Sequence, residues 1–434
     1  MSKFQSFRLS GLLDSTLLPA RVVWLNRLSL LGIIAFALWY TTSFQIRRQS
    51  LDVRSLIDYG LNYEKSVSVS QQLVYPPMAQ GFLYPPPNIM LRLALGELGL
   101  EASAVLWMAI LMIALFACLE MSLSLLGLAK HPVKYGLALV ALLSVEYPVE
   151  WDVRALNGNT VYLILVLGGV LLYDRSRPYA AGFLLGASVA FKVYSVLFVP
   201  YFLWRREYRL SAAMVASLAG FFMLLPALWF GIERSVAISA SWIHAVAETT
   251  SQNLPWEYPA YLLSIHKTLL TLLTEKGGSG VFNMANLAEG EIQLITRGIQ
   301  VLWLVFAALY FWRSPSQAVK EGTGKELLMD AAALMLVPLP LAPVLQPHHG
   351  VVLLIPALIL VWTIIDVEQR PVVRLGSAVL LLSAGIELQF GPSGPLRGLG
   401  MLLTMIVFMG GLLVLKSAGV SQRSDPRLSV PGSS

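Results

Sequence analysis

The chain of 434 residues is 56% hydrophobic and only 13% charged, with a mean hydropathy of +0.67. Such a composition excludes an ordinary water-soluble domain and reads as a polytopic membrane protein whose standing partner is the lipid bilayer. The formal charge of +6 sits largely in short loops and near the C-terminus, where it suits anionic headgroups and needs no nucleic acid to explain it. The single cysteine, Cys118, lies inside an apolar run, which excludes an intrachain disulfide and a cysteine-based metal site.

In chain order, Lys3, Arg8, Arg21 and Arg27 precede the first long apolar run at 28–44, and no small-residue cleavage site follows it. An uncleaved first span is therefore expected, with the N-terminus on the cytoplasmic side. Further apolar runs fall near 103–128, 134–148, 159–173, 178–191, 194–204, 211–231, 296–312, 328–345, 350–366, 372–390 and 397–415. The fold class expected is an all-α integral membrane protein of about twelve transmembrane helices, each ideally near 20 residues. The 178–204 stretch reads as two passes, as one long helix or as a re-entrant pair. Taken as two passes, it puts the basic segments 128–134, 174–178, 204–209, 313–325 and 366–374, and the tail from Lys416, on the cytoplasmic face. Residues 45–102, 149–158, 192–194, 232–295 and 346–350 then lie outside.

Residues 1–416 are expected to form one polytopic domain, and residues 417–434, rich in Ser, Pro and Gly, a disordered cytoplasmic tail. Gly182 and Gly186, four residues apart, offer a small-residue face for close helix packing. The outer segments carry two proline elements, Tyr75-Pro76-Pro77 and Tyr84-Pro85-Pro86-Pro87, which fix extended backbone suited to walling a groove. Asp52, Asp58, Arg154, Asn157, Lys192, Asn253, His348 and His349 all fall on the outer side. Ionisable groups beside apolar runs mark a path or a site, because they are expensive in lipid.

Two segments carry a family resemblance. SLDVRSLIDYGLNYEK is followed some thirty residues later by FLYPPP. Downstream lies NGNTVYLILVLGGVLLYDRSRPYAAGFLLGASVAFKVYSVLFVPYFLWRREYR. In order and spacing they resemble glycosyltransferase family 87 (the DUF2029 group) of the GT-C superfamily, membrane enzymes that use a polyprenyl-phosphate sugar. Asn159 stands where that family usually has Gln, Val193 replaces the proline after Lys192, and SQNLPWEYPAYLL matches the family's loop only at Asn253.

The resemblance implies extracytoplasmic loops that form the active site, in a bacterial inner (plasma) membrane. It implies transfer of a sugar, mannose by default, from the lipid-linked donor to a glycolipid or glycan acceptor in cell-envelope synthesis. Such chemistry needs a base for the acceptor hydroxyl and cations for the departing phosphate. Asp52 is the expected base, with Asp58 as the second carboxylate. One carboxylate fits a single inverting displacement, whereas a double displacement uses two. Lys192, Arg154, His348 and His349 are the expected phosphate-binding residues, and Tyr84, Asn157, Asn159 and Asn253 the substrate-binding ones. No cofactor and no metal is expected, and no nucleotide-binding fingerprint occurs in a cytosolic loop. Plainer readings stand beside these: Asp52 as a helix cap or partner of Arg47, Arg48 or Arg54, Lys192 as an interfacial lysine, and Arg154 as a solvated one. The rival functions are a transporter or flippase of lipid-linked sugar and an inactive scaffold of an envelope-assembly complex.

Overall fold

The structure is a computed structural model that describes residues 18–49, 54–75, 84–251, 263–274, 285–312, 324–342, 345–366, 369, 371–390 and 395–417. Side chains are described throughout these ranges except at 18–21, 43–49, 54–61, 249–251, 384–390, 395–398 and 417. All regular structure among the described residues is helical. The α-helices, in order, are α1 Leu18–Gln49, α2 Arg54–Gln72, α3 Pro86–Gly96, α4 Leu100–Leu125, α5 Lys134–Ser144, α6 Glu146–Arg154, α7 Asn159–Asp174, α8 Pro178–Val189 and α9 Phe198–Trp204. They continue with α10 Tyr208–Ala219, α11 Leu225–Phe230, α12 Ile232–Ser251, α13 Ile265–Leu273, α14 Glu289–Trp312, α15 Gly324–Leu336, α16 Leu354–Ile365, α17 Pro371–Phe390 and α18 Pro395–Ser417.

Among the described residues six helical stretches are long and apolar enough to cross a bilayer: Val22–Thr42, Leu100–Leu125, Tyr208–Phe230, Glu289–Trp312, Pro347–Ile365 and Leu399–Lys416. The bent pair α6 and α7 adds a seventh if it is one span. The expected count of about twelve transmembrane helices is not confirmed by these six or seven. Lys134–Ser144, Pro178–Val189 and Val193–Trp204 are apolar but short. The 12 residues of α8 rise only about 18 Å against a hydrocarbon core of about 30 Å. A hydropathy run reports what is shielded from water and not whether lipid or protein does the shielding. The long-helix reading of 178–204 fails for a local reason: the helix breaks at Ala190–Lys192, and a 3₁₀ turn, Val193–Leu197, restarts the chain before α9.

Burial follows composition. α16 is apolar on every side and is buried almost throughout, with α5, α15, α17 and α18 around it. α1 and α14 expose Trp24, Leu28, Leu38, Trp39, Leu302 and Trp312, an apolar rim that water would not tolerate and lipid would. α8 packs between α7 and α10. Gly182 and Gly186 make the second contact possible: a Cβ on Gly182 would stand 2.4 Å from the Leu210 carbonyl oxygen, and one on Gly186 2.5 Å from Ser217 Cβ. The small-residue face expected from sequence is the face used.

Four helices are tied by one buried carboxylate. Asp330 on α15 accepts from Tyr201 Oη on α9 (2.6 Å) and Tyr310 Oη on α14 (3.1 Å), and pairs with Arg205 at the end of α9 and Lys416 at the end of α18. Lys192 and Arg205 bracket Val193–Trp204, so this network and the cluster around Lys192 lie at opposite ends of that segment.

Candidate functional site

Three breaks in helical structure converge on one place. The first is the start of α3, where Pro85, Pro86 and Pro87 hold the chain extended and then open a helix, as proline does at first-turn positions. Tyr84 immediately precedes them, and its carbonyl accepts Tyr75 Oη at 2.7 Å. One turn after Asn88 on α3, Arg92 donates from Nε to Asn88 Oδ1 at 2.9 Å and lays its guanidinium over the Tyr84 ring, 4.4 Å from the centroid. Arg92 and Asn88 are both buried.

The second break is the 115° bend between α6 and α7. Leu156 takes a left-handed φ of 47°, and Trp107 Nε1 holds its carbonyl at 3.0 Å. The bend is organised by Asp152, which is fully buried and accepts four hydrogen bonds from the start of α7. Oδ1 takes Asn159 N (3.2 Å) and Asn159 Nδ2 (2.8 Å); Oδ2 takes Thr160 N (2.9 Å) and Thr160 Oγ1 (2.5 Å). A carboxylate there satisfies orphan backbone donors and faces the positive end of the α7 dipole.

Asn157 stands at the apex of this bend. Its Oδ1 accepts the Gly158 backbone N–H at 2.9 Å, which fixes the amide's orientation, because only an oxygen can face that donor. Tyr84 Oη donates to the same oxygen at 3.2 Å. Asn157 Nδ2 therefore donates to His348 Nε2, 3.0 Å away, which places the imidazole proton of His348 on Nδ1.

The third break is the 3₁₀ turn Pro347–Leu353 that leads into α16 and packs on α6. His348 is buried at its start, and the half-buried His349 ring stands edge-on to it at 4.6 Å between centroids. His349 Nδ1 accepts the Gln346 backbone N–H at 3.0 Å, which leaves Nε2 as its donor.

Lys192 sits in the gap between α8 and the following 3₁₀ turn, and its Nζ lies 5.9 Å from the Tyr84 ring centroid. Its electrostatic neighbours are the carboxylate of Asp152, whose lone pairs are already engaged, and the cation of Arg92. Among the described residues the Lys192 ammonium makes no hydrogen bond or ion pair, while its backbone N–H donates to the Ser188 carbonyl at 3.0 Å. The cluster thus presents an ammonium, a guanidinium and two imidazoles on an aromatic ring, with the carboxylate within electrostatic reach turned to the backbone. Its chemistry suits an anion bearing several oxygens, such as a phosphate. No group of three or more His, Cys, Asp or Glu side chains suited to a metal occurs among the described residues.

Of the residues singled out in the sequence, Tyr84, Asn157, Lys192, His348 and His349 come together. Asn159 is beside them but spends its amide on Asp152. Arg154 pairs with Glu150 at 3.0 Å on a side chain 42% exposed. Asp58 lies on α2, the helix packed against α3, and nothing is described of its side chain. Asp52 and Asn253 lie outside the described residues, as does the 418–434 tail. Sequence reasoning missed Arg92, Asn88 and Asp152. The first two stand four apart just after the Pro-Pro-Pro element, and Asp152 stands a helical end before an Asn-Gly-Asn turn. Both were readable as an i,i+4 pair and a capping carboxylate.

The profile described as glycosyltransferase family 87 matches residues 82–338, a range that contains Tyr84, Arg92, Asp152, Asn157 and Lys192. The chain is similar to a Mycobacterium tuberculosis protein named polyprenol-phosphate-mannose-dependent alpha-(1-2)-phosphatidylinositol mannoside mannosyltransferase. The two are 24% identical over 217 residues, which cover 46% of this chain and 48% of that protein. The chain thus spans about half the length of the curated relative it matches. No solved structure matches.

Proposed function

The chain belongs to glycosyltransferase family 87, and on that premise we propose that it transfers a sugar from a polyprenyl-phosphate donor to a glycolipid or glycan acceptor. Mannose is the sugar favoured by the likeness to the mycobacterial relative. The observation that carries the reading is the cluster at the three helix breaks. The Lys192 ammonium, with no hydrogen bond or ion pair among the described residues, stands by the Tyr84 ring, and the polar atoms of Tyr84, Asn157 and His348 are fixed in orientation by one another. A preorganised set of donors of this kind is what a departing phosphate requires.

In this reading the donor phosphate lies against Lys192 and the His348–His349 pair, Tyr84 and Asn157 border the sugar, and the isoprenoid chain runs into the lipid-facing surface. Asp52 takes the proton of the acceptor hydroxyl as that oxygen attacks the anomeric carbon from the face opposite the phosphate. A single inverting displacement follows. Asp58, on the helix packed against α3, is the alternative carboxylate. The site opens outside the cytoplasm in the plasma membrane, with both termini inside, as the distribution of basic loops favours.

The test is transfer of radiolabelled sugar from a panel of polyprenyl-phosphate sugars by purified protein in native membrane extract, with Asp52→Asn alongside. Donor-dependent product that disappears in Asp52→Asn is the expected result. Full activity in Asp52→Asn with loss in Asp58→Asn moves the base to Asp58. No product with any donor, from protein shown to be folded, overturns the transferase reading in favour of a flippase or a scaffold.

A further inference from the structure

The cluster holds more positive charge than the donor needs. Arg92 is buried beside the Tyr84 ring, on a helix that contributes no residue to the phosphate site as assigned above. Its one side-chain hydrogen bond among the described residues runs from Nε to Asn88 Oδ1, an interaction that aims the guanidinium and leaves its two terminal nitrogens for other work. Lys192 stands by the same ring, 5.9 Å from its centroid against 4.4 Å for Arg92. The two cations are close enough to act on each other. Gathering two like charges, one of them the buried Arg92, beside one half-buried ring is unfavourable without an anion between them. Asp152 does not fill that role, because all four of its hydrogen bonds go to α7.

We propose that Arg92 is a second phosphate-binding residue, and that Arg92 and Lys192 together recognise a prenyl phosphate monoester dianion in preference to a phosphodiester. This deepens the reading given above and rests on it for the identity of the ligand. The charge count follows from the reaction. In the donor the phosphate is a diester with one negative charge. When the acceptor oxygen bonds to the anomeric carbon, the bond from that carbon to the phosphate oxygen breaks and its electron pair stays with the phosphate. The acceptor proton passes to the carboxylate base. The phosphate leaves as a monoester with a second negative charge, since its remaining acid group has a pKa near 6. A site with one cation is matched to the donor, whereas a site with two is matched to the leaving group and stabilises the charge that develops as the bond breaks. Tyr84 spaces the two cations, and its hydroxyl ties them to Asn157 and so to His348.

The experiment measures binding without turnover. Wild type and Arg92→Gln, each reconstituted in lipid nanodiscs at pH 8, are titrated with farnesyl phosphate and with its methyl ester, a diester of the same chain. Wild type is expected to bind the monoester about tenfold or more tightly than the diester, the scale of one added charge-assisted hydrogen bond. Arg92→Gln is expected to lose that preference while its affinity for the diester changes less than about threefold, and Arg92→Lys to retain most of it. In the transfer assay, Arg92→Gln lowers kcat more than it raises KM. If Arg92→Gln does not fold, Arg92→Met, which keeps an apolar stem over Tyr84, carries the same comparison. Equal affinity of wild type for the two probes overturns the proposal, and so does an equal loss for both probes in the variant, as a purely structural arginine would give. A preserved preference in a protein that transfers no sugar sinks the transferase reading alone. Transfer without the preference sinks only the role of Arg92.

Discussion

Asp152→Asn is the substitution that separates the fold's contribution to the site from the chemistry. The carboxylate is fully buried, and each oxygen serves two donors at the start of α7. Asparagine can keep Oδ1 and its two bonds from Asn159. It replaces Oδ2 by an NH₂ group that faces Thr160 N–H and the Thr160 hydroxyl, so two hydrogen bonds to a charged acceptor are lost and one donor is turned against another. At about 1.5–3 kcal/mol for each such bond, the loss is about 3–6 kcal/mol, a large part of the 5–15 kcal/mol by which a typical protein is stable. Thr160→Val removes only the hydroxyl bond and is expected to cost about half as much. The consequence reaches the site because the Asn157 backbone N–H is held by the Asp152 carbonyl at 2.9 Å. Loosening the bend releases the amide that orients Tyr84 and His348. The assay is unfolding in a titration with denaturing detergent, with transfer from the lipid-linked donor measured on the fraction still folded. Asp152→Asn should lose both stability and turnover, and Thr160→Val chiefly stability. An Asp152→Asn protein within about 0.5 kcal/mol of wild type and fully active would show that the bend does not depend on this carboxylate.

Three further outcomes follow from single contacts. Lys192→Gln should keep the fold and lower kcat/KM for the lipid donor about 10- to 100-fold, the value of a charged hydrogen bond to phosphate, as read by initial rates over a donor series. Asp330→Asn leaves Arg205 and Lys416 together without a carboxylate and should cost about 3–5 kcal/mol in detergent unfolding, whereas Asp330→Leu combined with Arg205→Met and Lys416→Met should recover much of it. Gly186→Val must displace Ser217 and the Met214 carbonyl, which stand 2.5 and 2.8 Å from the added carbon, and should reduce the yield of monodisperse protein on size exclusion; Gly220→Ala, with nothing within 4 Å, should not.

The sequence carried the class of fold and half of the site, for physical reasons that differ by residue. Hydropathy finds apolar helices because lipid and protein interior both exclude water. It therefore could not tell α1, whose apolar residues face outward, from α16, whose apolar residues are buried on all sides. Lys192 and the histidine pair were legible because each interrupts an apolar run, and a polar residue there needs a reason. Arg92 was hidden for the opposite cause: it lies in a short helix of mixed composition after Pro-Pro-Pro, where an arginine raises no question until the Tyr84 ring is found beneath it. Arg154, singled out by its place near Asn157, sits on α6 where Glu150 is one turn away, and a local i,i+4 pair takes it.

The two ends of Val193–Trp204 make the case for function by contrast. At one end Arg205 is buried with a second cation, Lys416, and there the protein supplies its own compensation: the Asp330 carboxylate between them, with the hydroxyls of Tyr201 and Tyr310 on the same oxygens. At the other end Lys192 is gathered with a second cation, Arg92, beside the Tyr84 ring. The nearby Asp152 is committed to the α7 backbone and to Thr160 and Asn159, and among the described residues no carboxylate pairs with either cation. Both ends carry the cost of withdrawing cations from water, and this fold evidently can place an acidic residue between two of them. A purely structural pair would be expected to be built as the Asp330 network is built. The end that lacks such a residue is the one where three helix breaks aim an amide, a phenol and two imidazoles at the same place, and an arrangement of that kind is completed by an anion from outside the chain.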